Sequence, residues 1–299
     1  MNKSNLPKTI AIVGPTAAGK TKLGVQIAKR FNGEIVSADS RQIYKYLDIC
    51  TGKDLKDYNE IPYHLIDIFE PSQEITVADF QKKAFAAMDK ILSKNKLPVV
   101  VGGSPFYVYA ITEGWQFPKI KRDIELRKKL NKLPLPELRD ILRKIDPAAF
   151  GKIDQNNPRR LARAIEVCEI SGNVFEKAKP ISRPRYNFLF LGIKFSNEEL
   201  KKRIQERLEE RLKEGMIEEV RNIVASKLAS YADLERLGLE PRFIAYHLQK
   251  KINREQLEDL LLKNIYHFAK RQMTWLRKDG RIKWVRNTKE AINITGKFL

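Results

Sequence analysis

The sequence predicts an α/β fold: a P-loop, three-layer core with a parallel sheet and covering helices, plus an inserted, mostly helical domain. Three observations carry that reading. Short β-branched runs without polar alternation occur at 9–13 (TIAIV) and 97–101 (LPVVV), the pattern of strands buried on both faces. Segments of helical periodicity separate them, the spacing expected of parallel strands joined by crossover helices. After about Trp115 the strand signal disappears, and it returns only near Phe188.

In chain order, residues 9–13 are the expected first strand, and helical periodicity follows at 22–30 (KLGVQIAKR). Residues 34–38 read as a second strand ending at Asp39. An amphipathic helix is expected over 76–93, with Val77, Phe80, Ala84, Ala87, Met88 and Leu92 on one side. The strand at 97–101 is closed by Gly102 and Gly103. From 119 to 185 there are 18 basic and 9 acidic residues, punctuated by prolines at 118, 134, 136, 147, 158, 180 and 184. Strand character resumes at 188–195 (FLFLGIKF), charged helices follow over 197–225, and 281–285 (RIKWV) reads as a last strand. The expected organisation is therefore a core of residues 1–115 and 186–299, interrupted by a helical domain at 116–185.

A chain of 299 residues, 42% hydrophobic, can bury a sizeable core. Its 57 Lys and Arg against 37 Asp and Glu give a formal charge of +20, a surface that attracts polyanions such as nucleic acid. The two cysteines, Cys50 and Cys168, form no CxxC pair and no Cys/His cluster, which argues against a disulfide framework or a structural zinc. The three histidines, His64, His247 and His267, have no metal-ligand spacing, and His64 is expected to pack a turn. No apolar stretch is long enough to span a bilayer and the N-terminal residues lack an apolar h-region, so a cytoplasmic protein without membrane contact is expected. No unpartnered apolar face stands out, and a monomer is expected.

Residues 14–21, GPTAAGKT, fit G-x-x-x-x-G-K-[ST] between a buried strand and a helix. Gly14 and Gly19 permit the backbone angles that turn N–H groups toward one anion, with Pro15, Thr16, Ala17 and Ala18 forming the cradle between them. The following helix adds the partial positive charge of its N-terminus. Lys20 neutralises terminal phosphate oxygens, and the Thr21 hydroxyl is the expected Mg²⁺ ligand. The loop does not say which phosphate compound is held, and nucleoside triphosphates are its commonest cargo. The next buried strand, however, ends in Gly-Gly-Ser and not in an acidic pair, and no NKxD guanine-reading motif is present. Those absences argue against motor ATPases and GTPases, and leave small-molecule kinases open.

Asp39 ends the second strand, and in an open parallel sheet the carboxyl ends of the strands line the ligand crevice. Three roles fit it: an outer Mg²⁺ ligand, a general base toward an incoming nucleophile, or a helix N-cap.

The string of motifs resembles one family, the tRNA dimethylallyltransferases (tRNA isopentenyl transferases). It consists of GPTAAGKT at 14–21, SADSRQIYKYLDICTGK at 37–53, PYHLID at 62–67, VVVGGSPFYVYA at 99–110, NNPRRLARAIEV at 156–167 and AKRQMTWLR at 269–277. The resemblance implies that the loop grips the diphosphate of dimethylallyl diphosphate, with Mg²⁺ near Thr21. It implies transfer of the dimethylallyl group to the exocyclic amine of the adenine 3′ of the anticodon in tRNA, with release of pyrophosphate. Asp39 matches the family's general base, Thr16 and Thr21 match positions near the leaving diphosphate, and Arg207 matches an arginine that neutralises it. Read locally, Arg207 fits equally an i,i+4 charged face with Arg203 and Arg211.

The target base has to leave its stack to reach Asp39. Asp39, Ser40, Arg41 and Gln42 resemble the segment that recognises it, and Ser104 keeps a hydroxyl where the family usually has threonine. Arg159, Arg160 and Arg163, at i, i+1 and i+4 of an expected helix, are candidates to track phosphates, with a solvated face as the alternative. Arg242 is a tRNA-contact candidate through a faint GYR-type motif. The chain departs from the family pattern at Cys50, where glycine is common, at Gly52, where alanine is usual, and at 104–106. Two related readings are prenylation of free adenine nucleotides, which needs no basic insertion, and a P-loop kinase, which needs an adenine site that the sequence does not show.

Overall fold

The computed structural model describes residues 5–117, 123–172, 175 and 184–299. Its sheet is assembled from β1 (Lys8–Val13), β2 (Gly33–Ser37), β3 (Tyr63–His64), β4 (Leu97–Gly102), β5 (Asn187–Ile193) and β6 (Ile282–Val285). Their order is β3-β2-β4-β1-β5-β6, and every pairing is parallel. The alternation of side chains along each strand sorts the core into two layers. Ala11, Val13, Val36, Val100 and Phe190 face one apolar cluster, whereas Ile10, Ile12, Ile35, Val99, Leu189 and Leu191 face the other. Both faces are apolar because helices cover both, which is why these strands show no polar alternation in sequence.

The helices are α1 (Lys20–Arg30), α2 (Asp48–Thr51), α3 (Val77–Ser93), α4 (Pro105–Thr112), α5 (Ile124–Leu130), α6 (Leu135–Ile145), α7 (Pro147–Phe150) and α8 (Pro158–Ser171). After β5 come α9 (Asn197–Lys213), α10 (Met216–Ala225), α11 (Tyr231–Leu237), α12 (Leu239–Leu248), α13 (Arg254–Leu276) and α14 (Thr288–Phe298). Helix α3 begins at a capping box in which Thr76 and Asp79 satisfy each other's backbone N–H groups. Its buried stripe is Phe80, Ala84, Met88 and Ile91, so Ile91 belongs to the core face and Leu92 is only partly buried beside it. The charged stretch over 197–225 is two helices, broken where Gly215 takes φ +97.

The chain divides into two compact units, Met1–Gly114 with Ser182–Leu299, and Trp115–Ile181. The second is helical, with α5, α6 and α8 contributing Leu130, Leu138, Leu142, Leu161 and Ile165 to a core of its own. Pro118 and Pro180 of the basic segment lie outside the described residues.

His64 does not pack a turn. It lies on the edge strand β3, and its Nε2 is 2.8 Å from Oε2 of Glu34, which is 1% exposed. Burial alone raises the pKa of Glu34, but hydrogen bonds from His64, Lys96 and Lys94 outweigh it and hold the carboxyl at about 2. The short strand is thus tied to β2 by a buried charge that three basic side chains satisfy. Among the described residues no helix is long and apolar enough to cross a membrane.

Candidate active site

Loop 14–21 joins the carboxyl end of β1, in the middle of the sheet, to the N-terminus of α1. Gly19 stands at the N-cap with φ +76, and Ala17 takes φ +60, a left-handed conformation that non-glycine residues seldom adopt. No side chain caps α1, so the N–H groups of its first turn are left for a ligand or solvent. Lys20 folds back, and its Nζ donates to the Pro15 carbonyl at 2.7 Å. Desolvation lowers its pKa to about 8, with Asp39 opposing the fall and Arg207 adding to it. An ammonium held so far below its ordinary value is poised to gain from an anion. The Thr21 hydroxyl is hydrogen-bonded to Tyr58, whose phenol burial pushes well up.

Residues 16–21 and Tyr58 line one cavity of about 1000 Å³, together with Asp39, Arg41, Gln42, Gly52, Asp54, Arg207 and Arg211, whereas Gly14 and Pro15 are not in its lining. No helix begins at Asp39, so the N-cap alternative falls. Its Oδ1 instead accepts the Arg41 N–H at 2.9 Å in a tight turn, and the carboxylate faces the cavity beside Lys20. Arg207 also points inward. Its Nη2 lies 3.4 Å from both the Gly52 carbonyl and Asp54 Oδ2, so it is not part of a solvated face. Burial and the neighbouring Arg211 lower its pKa to about 10.

The other sequence candidates divide. Ser40 and Ser104 meet, with hydroxyls 3.3 Å apart and the Ser40 N–H aimed at Ser104 Oγ. Gln42 braces the cavity wall, accepting from Ser37 Oγ and donating to the Gly52 carbonyl at 2.8 Å. Arg41 is bound to the buried Glu240 at 3.2 Å and stacks over Phe268. Arg242 does not line this cavity; its Nε donates to the Glu235 carbonyl at 2.8 Å. In the helical unit Arg159 and Arg160 are exposed on α8, whereas Arg163 is only half-exposed and pairs with buried Glu166 at 2.9 Å. Glu166 also takes a short contact from Arg127. Arg163 therefore spends its charge on an internal carboxylate, and it does not share a free face with Arg159.

Three residues that the sequence did not single out for the site are essential to its geometry. Gln272 of α13 is 2% exposed; its Oε1 accepts the Thr16 N–H at 2.8 Å and its Nε2 donates to the Gly103 carbonyl. Glu219 of α10 accepts the N–H groups of Asp48, Ile49 and Cys50, each at 2.8 Å. Arg211 projects into the cavity one turn beyond Arg207. The AKRQ string was the only sequence signal for Gln272, while Glu219 and Arg211 look like ordinary helix-surface charges.

A hard cation fits this chemistry. Thr21 and Asp39 offer oxygen donors, and Mg²⁺ keeps most of its shell for water and substrate phosphates. Among the described residues no group of three or more His, Cys, Asp or Glu side chains forms a dedicated metal cage.

Comparison with known proteins gives a consistent picture. The sequence matches the IPP transferase family over residues 42–279 and the isopentenyl transferase family over residues 7–61. A tRNA dimethylallyltransferase 2 of Shewanella sediminis is 41% identical over 283 residues, covering 93% of each chain. The tRNA dimethylallyltransferase of Carboxydothermus hydrogenoformans is 39% identical, covering 98% of this chain and 96% of its own. Among solved structures, a tRNA isopentenylpyrophosphate transferase from Bacillus halodurans superposes with a TM-score of 0.72 at 33% identity, over 97% of this chain and 95% of its own. A eukaryotic dimethylallyltransferase solved acting on tRNA shares the fold, with a TM-score of 0.83 at 24% identity over 98% of this chain and 79% of its own.

Proposed function

This chain belongs to the IPP transferase family and is a prenyltransferase acting on tRNA, and from that premise we propose the donor, the acceptor atom and the residue roles. The donor is dimethylallyl diphosphate, and the acceptor is the exocyclic N6 amine of the adenine 3′ of the anticodon. The observation that carries this reading is the confluence in one cavity of residues 16–21 of the loop, Asp39 and Arg207. It combines an anion cradle, a carboxylate base and a guanidinium, which is what displacement of a diphosphate by a weakly acidic amine requires.

The diphosphate lies against the backbone of loop 14–21 and the N-terminus of α1, with Lys20 on its terminal oxygens and Arg207 across the cavity. The N6 lone pair forms a bond to C1 of the allyl group. The C1–O bond breaks, and its electron pair leaves with pyrophosphate. Asp39 accepts the proton that the amine sheds as the new bond forms, and holds the amine in line beforehand. The Thr21 hydroxyl would hold Mg²⁺, which would supply further charge neutralisation at the diphosphate. The basic helical unit, with Arg159 and Arg160 exposed on α8, supplies phosphate contacts to tRNA. The enzyme acts as a monomer in the cytoplasm, where its tRNA substrate resides.

A P-loop kinase would need an adenine site, which the sequence does not show; in the proposed reaction Asp39, on the cavity wall, takes the proton of the nucleobase amine. The decisive experiment supplies the protein with either dimethylallyl diphosphate labelled in its prenyl group or labelled ATP, with tRNA, free AMP or no acceptor. Label from the prenyl donor is expected in tRNA alone. Incorporation from ATP, or prenylation of AMP in preference to tRNA, refutes the proposal.

A further inference from the structure

Arg211 also lines the cavity, beside Arg207, and the reaction just described does not use it. Arg211 is 8% exposed, and its Nη2 is buried without a hydrogen-bond partner. Its nearest carboxylate oxygen is Asp54 Oδ1 at 3.6 Å, and Asp54 already serves Arg207 at 3.4 Å through its other oxygen. Two guanidiniums thus share one half-exposed carboxylate. A buried N–H left without an acceptor is costly, and structures retain such groups where a ligand supplies the acceptor.

The space for Arg211 is made by Gly52. Gly52 has φ +61, and a Cβ built there would lie 1.5 Å from Arg211 Nη2 and 2.2 Å from Arg207 Nη2. The missing side chain and the extra guanidinium therefore occupy the same volume. Beneath them the loop is fixed from two sides: Gln42 and Arg207 hold the Gly52 carbonyl, and Glu219 holds the N–H groups of residues 48–50.

We propose that Arg211 is a second diphosphate-binding arginine, admitted by Gly52, whose free Nη2 donates to a non-bridging oxygen of the substrate diphosphate and of the pyrophosphate product. Together with Arg207 it forms a two-guanidinium clamp opposite Lys20, and Asp54 serves as a resting counter-ion that the diphosphate displaces. The assignment rests on the reading of loop 14–21 as the diphosphate site.

The test measures inorganic pyrophosphate binding to the full-length protein by calorimetry, with tRNA affinity and melting temperature recorded in parallel. Arg211→Met is expected to weaken pyrophosphate by about ten- to a hundredfold, the loss of a charge-assisted hydrogen bond, with tRNA affinity unchanged. Arg211→Lys recovers part of the loss. Gly52→Ala, which leaves the arginine in the chain but takes its space, weakens binding in the same range. Asp54→Asn frees both guanidiniums and binds pyrophosphate at least as tightly as wild type. The inference is overturned if Arg211→Met stays within about threefold of wild type. It is equally overturned if Asp54→Asn weakens binding as Arg211→Met does, because Arg211 then merely props the Asp54 loop. Failure of the wild-type protein to bind pyrophosphate at all refutes the parent assignment of loop 14–21, a separate outcome from either of these.

Discussion

Lys20 makes the proposed diphosphate site testable by pH alone. Desolvation by the surrounding loop is the main reason its pKa falls to about 8; Asp39 pulls the value up and Arg207 pushes it down. A bound diphosphate stabilises the ammonium, so binding takes up a proton once the free lysine has begun to deprotonate. Affinity is then flat below pH 8 and declines above it, approaching a factor of ten for each further unit. Between pH 7 and pH 9 the expected fall is about tenfold. Pyrophosphate titrates in the same region, so the quantity to plot is the ratio of wild-type affinity to that of Lys20→Arg, whose guanidinium stays charged throughout. Calorimetry in buffers of different ionisation heat should register the proton uptake directly. The two charged neighbours supply internal controls with opposite signs. Asp39→Asn removes a group that raises the pKa and should move the break to lower pH, whereas Arg207→Met removes a group that lowers it and should move the break to higher pH. A ratio independent of pH up to 9, or breaks that move in the same direction in both variants, would refute the reasoning.

Other expectations follow from single contacts. Asp39→Ala should abolish prenyl transfer while tRNA binding persists, with only a small drop in melting temperature from the lost Arg41 N–H bond; loss of stability together with retained turnover would return Asp39 to a structural role. Gln272→Leu strands the Thr16 N–H and the Gly103 carbonyl, at about 1–3 kcal/mol for each buried group, and should raise KM for the prenyl donor well above any effect on tRNA affinity. Unchanged KM and melting temperature would show that the loop holds its own shape. Arg159→Glu with Arg160→Glu should weaken tRNA binding and flatten its salt dependence by about one phosphate contact per arginine removed, without changing stability. Arg163→Ala should behave in the opposite way. It leaves Glu166 with Arg127 alone and should cost about 1–2 kcal/mol of stability. Burial raises the pKa of Glu166, but Arg127 and Arg163 bring it below its ordinary value; that stabilisation is present near neutral pH and fades as the carboxyl protonates in acid. A tRNA-specific defect in Arg163→Ala would contradict the pairing.

The sheet was legible because its strands are covered on both faces, which writes unbroken β-branched runs into the sequence at β1 and β4. The edge strand β3 was not legible. It is two residues long, Tyr63–His64, and is held by the side-chain pairing of Glu34 and His64, which leaves no periodicity to detect. The strand–loop–helix setting of residues 14–21 could be read because a G-x-x-x-x-G-K-[ST] motif demands particular residues at fixed positions. Asp39 could be placed because the strand before it fixes which end of the sheet it occupies. Arg207 and Arg211 could not be separated from a solvated face, since a helix carrying glutamates and arginines at i,i+4 looks the same whichever side is buried. Only packing against Gly52 and Asp54 decides it. Arg163 shows the converse error: its spacing from Arg159 was correct for a shared face, but a buried glutamate three residues ahead claims the charge.

Neither loop that carries the recognisable residues sets its own shape. Loop 14–21 is braced by Gln272, which is 256 residues from Thr16 along the chain and bridges it to the end of β4 through Gly103. The short helix α2 leading to Gly52 is held by Glu219, whose two carboxylate oxygens take three consecutive backbone N–H groups of its first turn. Burial holds the pKa of that carboxyl above its ordinary value although the three N–H bonds lower it, and those bonds favour the ionised form. Arg207 and Arg211 arrive on α9, between β5 and the helices that carry Glu219 and Gln272. A chain ending after β5 would therefore keep every residue of the phosphate motif and Asp39, yet lose both braces and both guanidiniums. The proposed phosphate site is as much a product of α9, α10 and α13 as of the loop by which it is recognised.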